Sequence, residues 1–511
     1  MKLKLLSIAL FFISSTIFCQ IVNIPDNEFK NVLLTYSPSI DTNNDNEIQV
    51  TEAAAVTSLD VSGHQSYEDF GGGCDPITDP GCIGGGGGGG IFIDGISDLT
   101  GIEAFVNLTS LNCSFNDLTS LDVSALTQLT NLDCSYNINY SNYNANFNGI
   151  SSLTLPTSNT LVTLNTSQNN ISTIDVSNQT NLTSLNTNNN ILTSLNLTNT
   201  PLLQNLKCEY NQLSSLNITA STLLTNLECF NNQITSLDLT NQTALITLKS
   251  YNNNLNSLSL PTSSSLTYVH SWNNSITTLD ASTLTGLVEL AIYTNSLTSL
   301  TLPATTTLKK LLCYQNNLTT LDTSVATGLI TLNTSSNSLT SLILPSTATL
   351  QALICNANNL PSLNLSSSIN LTTLNCSNNN LNMLDVSTNT SLTTLSCANN
   401  NLTALNTLTN TTLTNLDCSN NQITSLDTTT TNTLTSFICS ETLLTELDLY
   451  NFSSLNKIYC NNNLLTSLNL KNGNSNALAY NTFSSKNNAN LNAICVDDAL
   501  VAAGNLGNGI D

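Results

Sequence analysis

An asparagine recurs every 21 residues along most of this sequence. The marked positions are Asn116, Asn137, Asn169, Asn190, Asn211, Asn232, Asn253, Asn274, Asn295, Asn316, Asn337, Asn358, Asn379, Asn400, Asn421, Thr442 and Asn463. Every step is 21 residues except the 32 residues from Asn137 to Asn169, which contain an 11-residue insertion, and only Thr442 departs from asparagine. A unit this short cannot bury its own leucines, so successive units must stack and share one apolar interior.

Each unit has two similar halves, exemplified by "LTSLNCSFND" and "LTSLDVSALTQ" from Leu108 onward. The alternating apolar residues predict a short strand in every turn, parallel to the strand of the next turn and about 4.8 Å from it. Asparagines buried at the bends would satisfy backbone groups and form a ladder along the stack. The 40% apolar content is sufficient for such a core.

The pattern L-x-x-L-x-L-x-x-N-x-L, with cysteine often in the third apolar place, resembles the leucine-rich repeat. Its 21-residue nested form is similar to that of secreted bacterial proteins of the bacteroidete type and of internalin-like proteins, over roughly residues 56–498. The resemblance implies a leucine-rich repeat solenoid, mostly strand and coil with little helix, behind a short helical N-terminal cap. It also implies that the chain binds a protein.

The first 19 residues combine a lysine-bearing head with a short apolar run, which is typical of a secretory signal peptide. We expect cleavage after Cys19 and a protein that is secreted or held on the outer cell surface. Lipidation of Cys19 is the less favoured alternative, because Phe18 fits poorly before a lipidated cysteine. No later stretch is long and apolar enough to span a bilayer. Related bacteroidete proteins often carry a further sorting domain, which is not visible before Asp511.

Four segments follow from these patterns. We expect a signal peptide at 1–19, a helical cap at 20–57, the solenoid at 58–471, and a degenerate last repeat with a C-terminal cap at 472–511. The solenoid would carry a Gly-rich inserted loop at 63–95 and a second inserted loop at 139–149. The net charge of −23 repels phosphate backbones and anionic lipid, so nucleic acid and membrane surfaces are unlikely partners.

The segment "DTNNDNEIQVTE" matches a twelve-residue calcium loop of the EF-hand type. Its predicted ligands are Asp41, Asn43, Asp45, Glu47 through its carbonyl, Gln49 and Glu52. Position six holds Asn46 where glycine is usual, and asparagine tolerates the left-handed backbone that is needed there. "PDNEFKNVLL" before the loop predicts a helix capped by Asp26. We expect a structural Ca²⁺ here, and the alternative is an acidic cap without metal.

Most cysteines fall at one phase of the repeat, as Cys113 and Cys134 do, so they are expected to pack in the core as small apolar residues. Cys74 and Cys82 lie outside the repeat, and in a secreted chain they are expected to form a disulfide. The glycine run at 84–90 lacks the residues of a phosphate loop and indicates a flexible linker.

The segment "TYVHSWNN" places three bulky side chains on the outer face of one strand, because alternate residues of a strand point to opposite sides. The neighbouring turns carry aromatic residues at the Trp272 position, so an exposed aromatic patch is predicted. The candidate ligand-binding residues are Glu228, Phe230, Lys249, Tyr251, Tyr268, His270, Trp272, Tyr293, Lys310 and Tyr314. Such a patch marks an interaction site, or alternatively a stacking ladder that stabilises strand pairing.

The sequence favours a binding or adhesion protein over an enzyme. His64 and His270 are its only histidines, and no nucleophile or metal-binding motif occurs. The ligand is expected to be a protein on a cell surface or in the extracellular matrix. A glycan that stacks on the aromatic rings is the alternative. A less favoured role is ice binding, through a threonine row that includes Thr277, Thr298, Thr319 and Thr340.

Overall fold

The computed structural model describes residues 20–63, 66–68, 91–93, 95–137, 149–427, 433–474, 478 and 482–497. It divides into two compact units, residues 1–192 and 193–511. The architecture is a parallel β-solenoid of about 17 turns of about 21 residues, with little helix. The predicted short parallel strand in every turn is therefore confirmed, and several turns contain a second strand. No helix within the described part of the chain is long and apolar enough to cross a membrane.

The described part of the first unit contains the helices α1 (Asn27–Thr35) and α2 (Val50–Ala53) and a short 3₁₀ helix at Ile102–Ala104. The side chain of Asp26 accepts the N–H of Phe29 at 2.9 Å and so caps α1, as the sequence predicts. The described residues of this unit then form the strands β1 (Ser58–Asp60), β2 (Ser66–Glu68), β3 (Ile91–Ile93), β4 (Ser110–Asn112), β5 (Ser120–Asp122), β6 (Asn131–Asp133), β7 (Ser152–Thr154), β8 (Thr163–Asn165) and β9 (Ser184–Asn186). Strands β1, β4, β6, β8 and β9 form one parallel sheet, β5 pairs with β7, and β2 and β3 are antiparallel.

The second unit contains the remaining strands. These are β10 (Asn205–Lys207), β11 (Asn226–Glu228), β12 (Ser236–Asp238), β13 (Thr247–Lys249), β14 (Ser257–Ser259), β15 (Tyr268–His270), β16 (Thr278–Asp280), β17 (Glu289–Ala291), β18 (Ser299–Thr301), β19 (Lys310–Leu312), β20 (Thr320–Asp322), β21 (Thr331–Asn333), β22 (Ser341–Ile343), β23 (Ala352–Ile354), β24 (Thr373–Asn375), β25 (Thr394–Ser396), β26 (Asn415–Asp417), β27 (Ser436–Ile438), β28 (Glu446–Asp448), β29 (Lys457–Tyr459), β30 (Ser467–Asn469), β31 (Phe483–Ser484) and β32 (Ala493–Cys495). Strands β10, β11, β13, β15, β17, β19, β21, β23 to β27, β29 and β31 form one parallel sheet. The others form small parallel sheets from the second half of the repeat.

From β10 to β29 the strands of the large sheet in the second unit pair in phase with the 21-residue repeat. Leu248 pairs with Val269, which pairs with Leu290, so equivalent side chains lie directly above one another. The central residue of each of these strands points inward and is buried. The phased cysteines, including Cys355 and Cys376, are also buried and free, which confirms that they pack in the core. Burial raises the pKa of both thiols, so they stay protonated and unreactive.

The recurring asparagines form the predicted ladder, as Asn358 illustrates. Its Nδ2 donates to the carbonyl of Thr334 in the preceding turn at 3.0 Å and to that of Cys355 in its own turn at 3.1 Å. Its Oδ1 accepts the N–H of Leu339 from the preceding turn at 2.9 Å. The residue before it, Ala357, is left-handed with φ 55°. Each asparagine therefore satisfies buried backbone groups that water cannot reach.

Candidate ligand-binding face

Five aromatic rings stack along one edge of the large sheet in the second unit. They belong to Phe230, Tyr251, Trp272, Tyr293 and Tyr314. Successive ring centroids are 4.3, 4.3, 5.2 and 4.3 Å apart, and the ring planes are within 18° of parallel. The spacing follows from the strand separation, because in-phase pairing sets each ring above the previous one. We call these five residues the aromatic ladder.

The ladder is less exposed than its sequence pattern predicts. Phe230 is only 9% exposed, and the other four rings are half-buried, while Tyr268 on the adjacent strand is 42% exposed. The reason is that each inner ring covers the faces of its neighbours, so mainly ring edges reach solvent. Burial raises the pKa of Tyr251 and of Tyr293 to about 12. Both phenols therefore remain protonated at neutral pH and can donate hydrogen bonds.

The two ends of the ladder differ. At one end Tyr210 packs edge-on against Phe230, with centroids 5.4 Å apart and planes at 78°. Strand alternation alone does not place Tyr210 on this face, because Tyr210 lies one residue after the ladder position of its turn. The backbone of Tyr210 is left-handed, with φ 53°, and this departure from the strand conformation brings its ring back to the ladder. At the other end the position after Tyr314 is occupied by Ser335, whose small side chain cannot cover an aromatic ring.

A row of charged side chains runs beside the ladder. Glu228 lies 3.6 Å from Lys207 and 3.1 Å from Lys249, and Glu289 lies 3.1 Å from Lys310. The lysine side chains are 36–43% exposed, whereas those of the two glutamates are 12% and 23% exposed. The ammonium groups therefore reach further into solvent than the carboxylates beneath them. Burial alone would raise the pKa of Glu228, but hydrogen bonds from Asn226 and Lys249 and the charges of the two lysines lower it overall, so it is ionised.

His270 lies in the middle of this row. Its Nε2 is buried, lies 3.5 Å from Oε1 of Glu289 and makes no hydrogen bond within the described residues. Burial lowers the pKa of His270, the carboxylate of Glu289 raises it, and the charges of Lys249 and Lys310 lower it again. The net direction is below the ordinary value of 6.5, so the ring is neutral at pH 7.

An amide ladder borders the rings on the other side. Nδ2 of Asn252 donates to Oδ1 of Asn231 at 2.7 Å, and Nδ2 of Asn273 donates to Oδ1 of Asn252 at 2.8 Å. In the following turns Thr294 donates to Oε1 of Gln315 at 2.8 Å. The candidate face thus offers ring edges between a charged row and an amide row.

The loop at 41–52, which the sequence predicts to bind calcium, has a left-handed residue at position six. Asn46, at position six, has φ 66°, which is the left-handed conformation that glycine usually supplies. Asp41 accepts the N–H groups of Asn44 at 2.7 Å and of Asn46 at 2.9 Å, and Asp45 accepts that of Glu47 at 2.9 Å. These bonds fold the loop around its oxygen atoms.

The oxygens at the centre of the loop are bridged by amide groups. Nε2 of Gln49 lies 2.8 Å from Oδ2 of Asp45 and 3.4 Å from the carbonyl of Glu47, and Nδ2 of Asn43 lies 3.0 Å from the same Asp45 oxygen. Glu52 instead accepts bonds from Thr42 and from the N–H of Gln49. No group of three or more His, Cys, Asp or Glu side chains that could hold a metal is found within the described ranges. The donor set therefore fits a hard cation only if amide and carbonyl oxygens contribute.

Some expectations concern residues beyond this part of the structure. The signal peptide at 1–19, the disulfide between Cys74 and Cys82 and the glycine run at 84–90 all lie outside the described residues. The threonines considered for ice binding are described, and two of them bond to the backbone of the turn before. The hydroxyl of Thr298 donates to the carbonyl of Thr277, and that of Thr340 to the carbonyl of Thr319, each at 3.2 Å.

No family model matches the sequence, and none of the curated proteins compared with it matches. Solved structures do match. YopM from Yersinia enterocolitica is 24% identical with a TM-score of 0.56, covering 79% of this chain and 88% of YopM. The plant peptide hormone receptor RGFR1, solved in complex with RGF2, is 21% identical with a TM-score of 0.50, covering 77% and 78% of the two chains. The functional domain of InlJ from Listeria monocytogenes is 25% identical with a TM-score of 0.39, covering 91% and 80%. The predicted fold class is thereby confirmed: the chain has the fold of a leucine-rich repeat solenoid.

Proposed function

We propose that this chain is an extracellular binding or adhesion protein that recognises a protein ligand through its aromatic face. The aromatic face comprises the aromatic ladder, Tyr268, His270 and the charged row of Glu228, Lys249 and Lys310. The observation that supports this most is the confinement of these groups to consecutive turns, since the next turns carry Ser335 and Asn356 at the ladder position. Aromatic and charged side chains that are clustered in this way are typical of protein interfaces.

A protein ligand suits the geometry of the ladder better than a glycan laid along it. Sugars stack on ring faces, and the inner rings have both faces covered by their neighbours. Ring edges, phenol hydroxyls and ammonium groups instead match the mixed apolar and polar surface of a protein. Five turns at the strand spacing extend roughly 20 Å, which is a reasonable length for one partner's side of a standard interface. The bound hormone of RGFR1 is a precedent for a ligand of this class on a similar fold.

The test uses residues that face solvent and do not support the ladder. The full chain would be titrated with fractionated cell-surface and matrix proteins, and the emission of Trp272, the single tryptophan, would report binding. Tyr268→Ala and Lys310→Gln should each weaken a saturable interaction about tenfold or more. Tyr450→Ala is the matched control, because Tyr450 is 62% exposed and lies off the face. Equal affinity in all variants would refute the proposed face. Thermal hysteresis without any protein ligand would favour ice binding instead.

We also propose that the loop at 41–52 holds a structural Ca²⁺. Asp41, Asn43 and Asp45, the carbonyl of Glu47, and Gln49 would supply oxygens, and Glu52 would complete the set by releasing its present partners. When bound, the ion would tie α1 to α2, because the loop joins them. Support comes from the left-handed Asn46 and from the oxygens that already converge on the Gln49 amide.

Calorimetric titration of chelator-treated protein with CaCl₂ tests this proposal. One Ca²⁺ should bind and raise the unfolding temperature of the first unit, whereas equimolar Mg²⁺ should do much less. Asp45→Ala should abolish both effects, and Asp98→Asn, outside the loop, should change neither. Absence of heat and of any thermal shift at millimolar CaCl₂ would show that the loop is an acidic cap without metal.

The extracellular setting rests on the first 19 residues. Expression of the full chain in a Gram-negative host should release a mature form that begins at Gln20. Retention of an unprocessed chain in the cytoplasm would contradict the proposed location.

A further inference from the structure

At one end of the aromatic ladder, the outer face of Tyr314 has no ring stacked on it among the described residues. Tyr293 covers one face of Tyr314, with ring centroids 4.3 Å apart and planes within 8° of parallel. The next turn places Ser335 at the ladder position, since Gln315 donates its N–H to the carbonyl of Ser335 and keeps the two turns in phase. Where five turns have a ring, the sixth has only a hydroxymethyl group. A hydroxymethyl group covers less of the outer face of Tyr314 than a sixth ring would, and we call this step from Tyr314 to Ser335 the notch.

The rim of this notch is polar and uncharged. Asn333 accepts the N–H of Ser335 at 3.1 Å and its hydroxyl at 2.7 Å, so its Oδ1 is used while its Nδ2 has no partner among the described residues. Gln315 likewise accepts from Thr294 through Oε1, and no bond from its Nε2 to the described residues is formed. Asn356 lies one turn beyond. The nearest charge on the face, Lys310, is already paired with Glu289.

We propose that this notch binds one neutral pyranose ring of a glycan, which occupies the place of a sixth rung on the open face of Tyr314. A pyranose presents C–H groups to an aromatic face and hydroxyls around its edge. The edge hydroxyls match the amide donors of Asn333 and Gln315. A buried aromatic side chain in the same place would leave those amides without partners, which is costly. A phosphate-bearing or acidic ring gains no cation from the rim and is repelled by the net charge of −23.

This site is distinct from the proposed protein-binding role, since it uses a ring face and amides rather than ring edges and lysines. It accounts for the abrupt end of the ladder. Tyr314 is then the one ladder ring on which a sugar can stack, because Tyr210 packs against Phe230 at the opposite end.

Saturation-transfer NMR on the full chain tests the proposal. The probes are methyl β-glucoside, methyl β-galactoside, methyl α-mannoside and methyl N-acetyl-β-glucosaminide, each at millimolar concentration. At least one should receive saturation on the C–H protons of one ring face. Tyr314→Ala should weaken that binding about tenfold. Ser335→Leu, which fills the notch and keeps the tyrosine, should abolish it.

Three controls separate the alternatives. Tyr450→Ala should leave the sugar signal unchanged, which excludes a general effect of exposed tyrosines. Lys310→Gln should also leave it unchanged while weakening any protein ligand, so failure of one proposal does not entail failure of the other. N-acetylphenylalanine amide should not compete with the sugar. No saturation of any probe, an undiminished signal in Tyr314→Ala, or preferential binding of the phenylalanine amide would each overturn the pyranose assignment.

Discussion

The turn that contains Thr442 lacks one rung of the asparagine ladder, and restoring it should stabilise the solenoid. In other turns the asparagine accepts a buried N–H from the turn before, as Asn421 accepts that of Leu402 at 3.0 Å. The hydroxyl of Thr442 instead donates to the carbonyl of Cys439 at 3.0 Å and to Oδ1 of Asn463. The N–H of Ile423, which is fully buried, has no hydrogen-bond partner among the described residues.

Thr442→Asn should supply that partner. A buried N–H without a partner costs about 1–3 kcal/mol, and the new amide can keep the bond to Cys439, so we expect a net gain of about 1–2 kcal/mol. Hydrogen exchange of the Ile423 amide should slow about five- to thirtyfold, because exchange there requires the local structure to open. The backbone is ready for asparagine, since Glu441 before it is left-handed, with φ 56°, like its counterparts in other turns.

Asn400→Thr is the matched reverse variant. Asn400 accepts the N–H of Leu381 at 3.0 Å, so threonine should leave that group without a partner and speed its exchange by a similar factor. Exchange mass spectrometry on peptides that cover Ile423 and Leu381 measures both changes. Unchanged exchange at Ile423 in Thr442→Asn, with normal exchange at Leu381 in Asn400→Thr, would refute the idea that the Oδ1 bond carries the stability.

Three other outcomes are expected. Burial alone would raise the pKa of Asp26, but hydrogen bonds from N–H groups and the Ser97 hydroxyl lower this pKa overall. The ionised Asp26 therefore stabilises the fold above about pH 4, and this stabilisation is lost as the pH falls further. Asp26→Asn should accordingly make the unfolding temperature less dependent on pH between about pH 5 and 2. Thr334 occupies a cysteine position with its hydroxyl buried and unbonded within the described structure, so Thr334→Val should raise the free energy of unfolding by about 1 kcal/mol in urea titrations. Gly286→Ala should lower that free energy by about 2 kcal/mol or more, because a Cβ there would lie 1.8 Å from the carbonyl oxygen of Ser264; a folded variant of unchanged stability would contradict the close approach.

The sequence predicts the fold well because its main determinants are periodic. The position of Asn358 alone implies a bend, a buried amide and contacts with two turns, and all three are present. Strand direction and the inward side chains Val269 and Ser271 follow from the same alternation, and both residues are buried.

The binding face was less predictable, because it depends on side-chain orientation. The sequence places Phe230 and Trp272 in one row, but it does not reveal that their rings lie parallel and cover one another. Tyr210 was missed because a left-handed residue departs from strict strand alternation. Glu289 was not among the predicted site residues, since its role as a partner of both His270 and Lys310 depends on distances across turns. A search for alternating charges in adjacent turns would have found it.

The asparagine ladder also bears on how such a chain can change over evolutionary time. Every turn presents the same hydrogen-bond donors and acceptors to the turn on either side of it. Duplication or loss of a complete 21-residue unit therefore leaves no donor or acceptor without a partner. Loss of part of a unit would break the rung on both sides. The 32-residue step obeys this restriction: Asn169 still reaches the carbonyl of Cys134 at 2.8 Å, although 35 residues separate them instead of the usual 24. The number of 21-residue units can thus change during evolution. The number of residues between successive ladder asparagines can grow only where the extra residues form an outward loop.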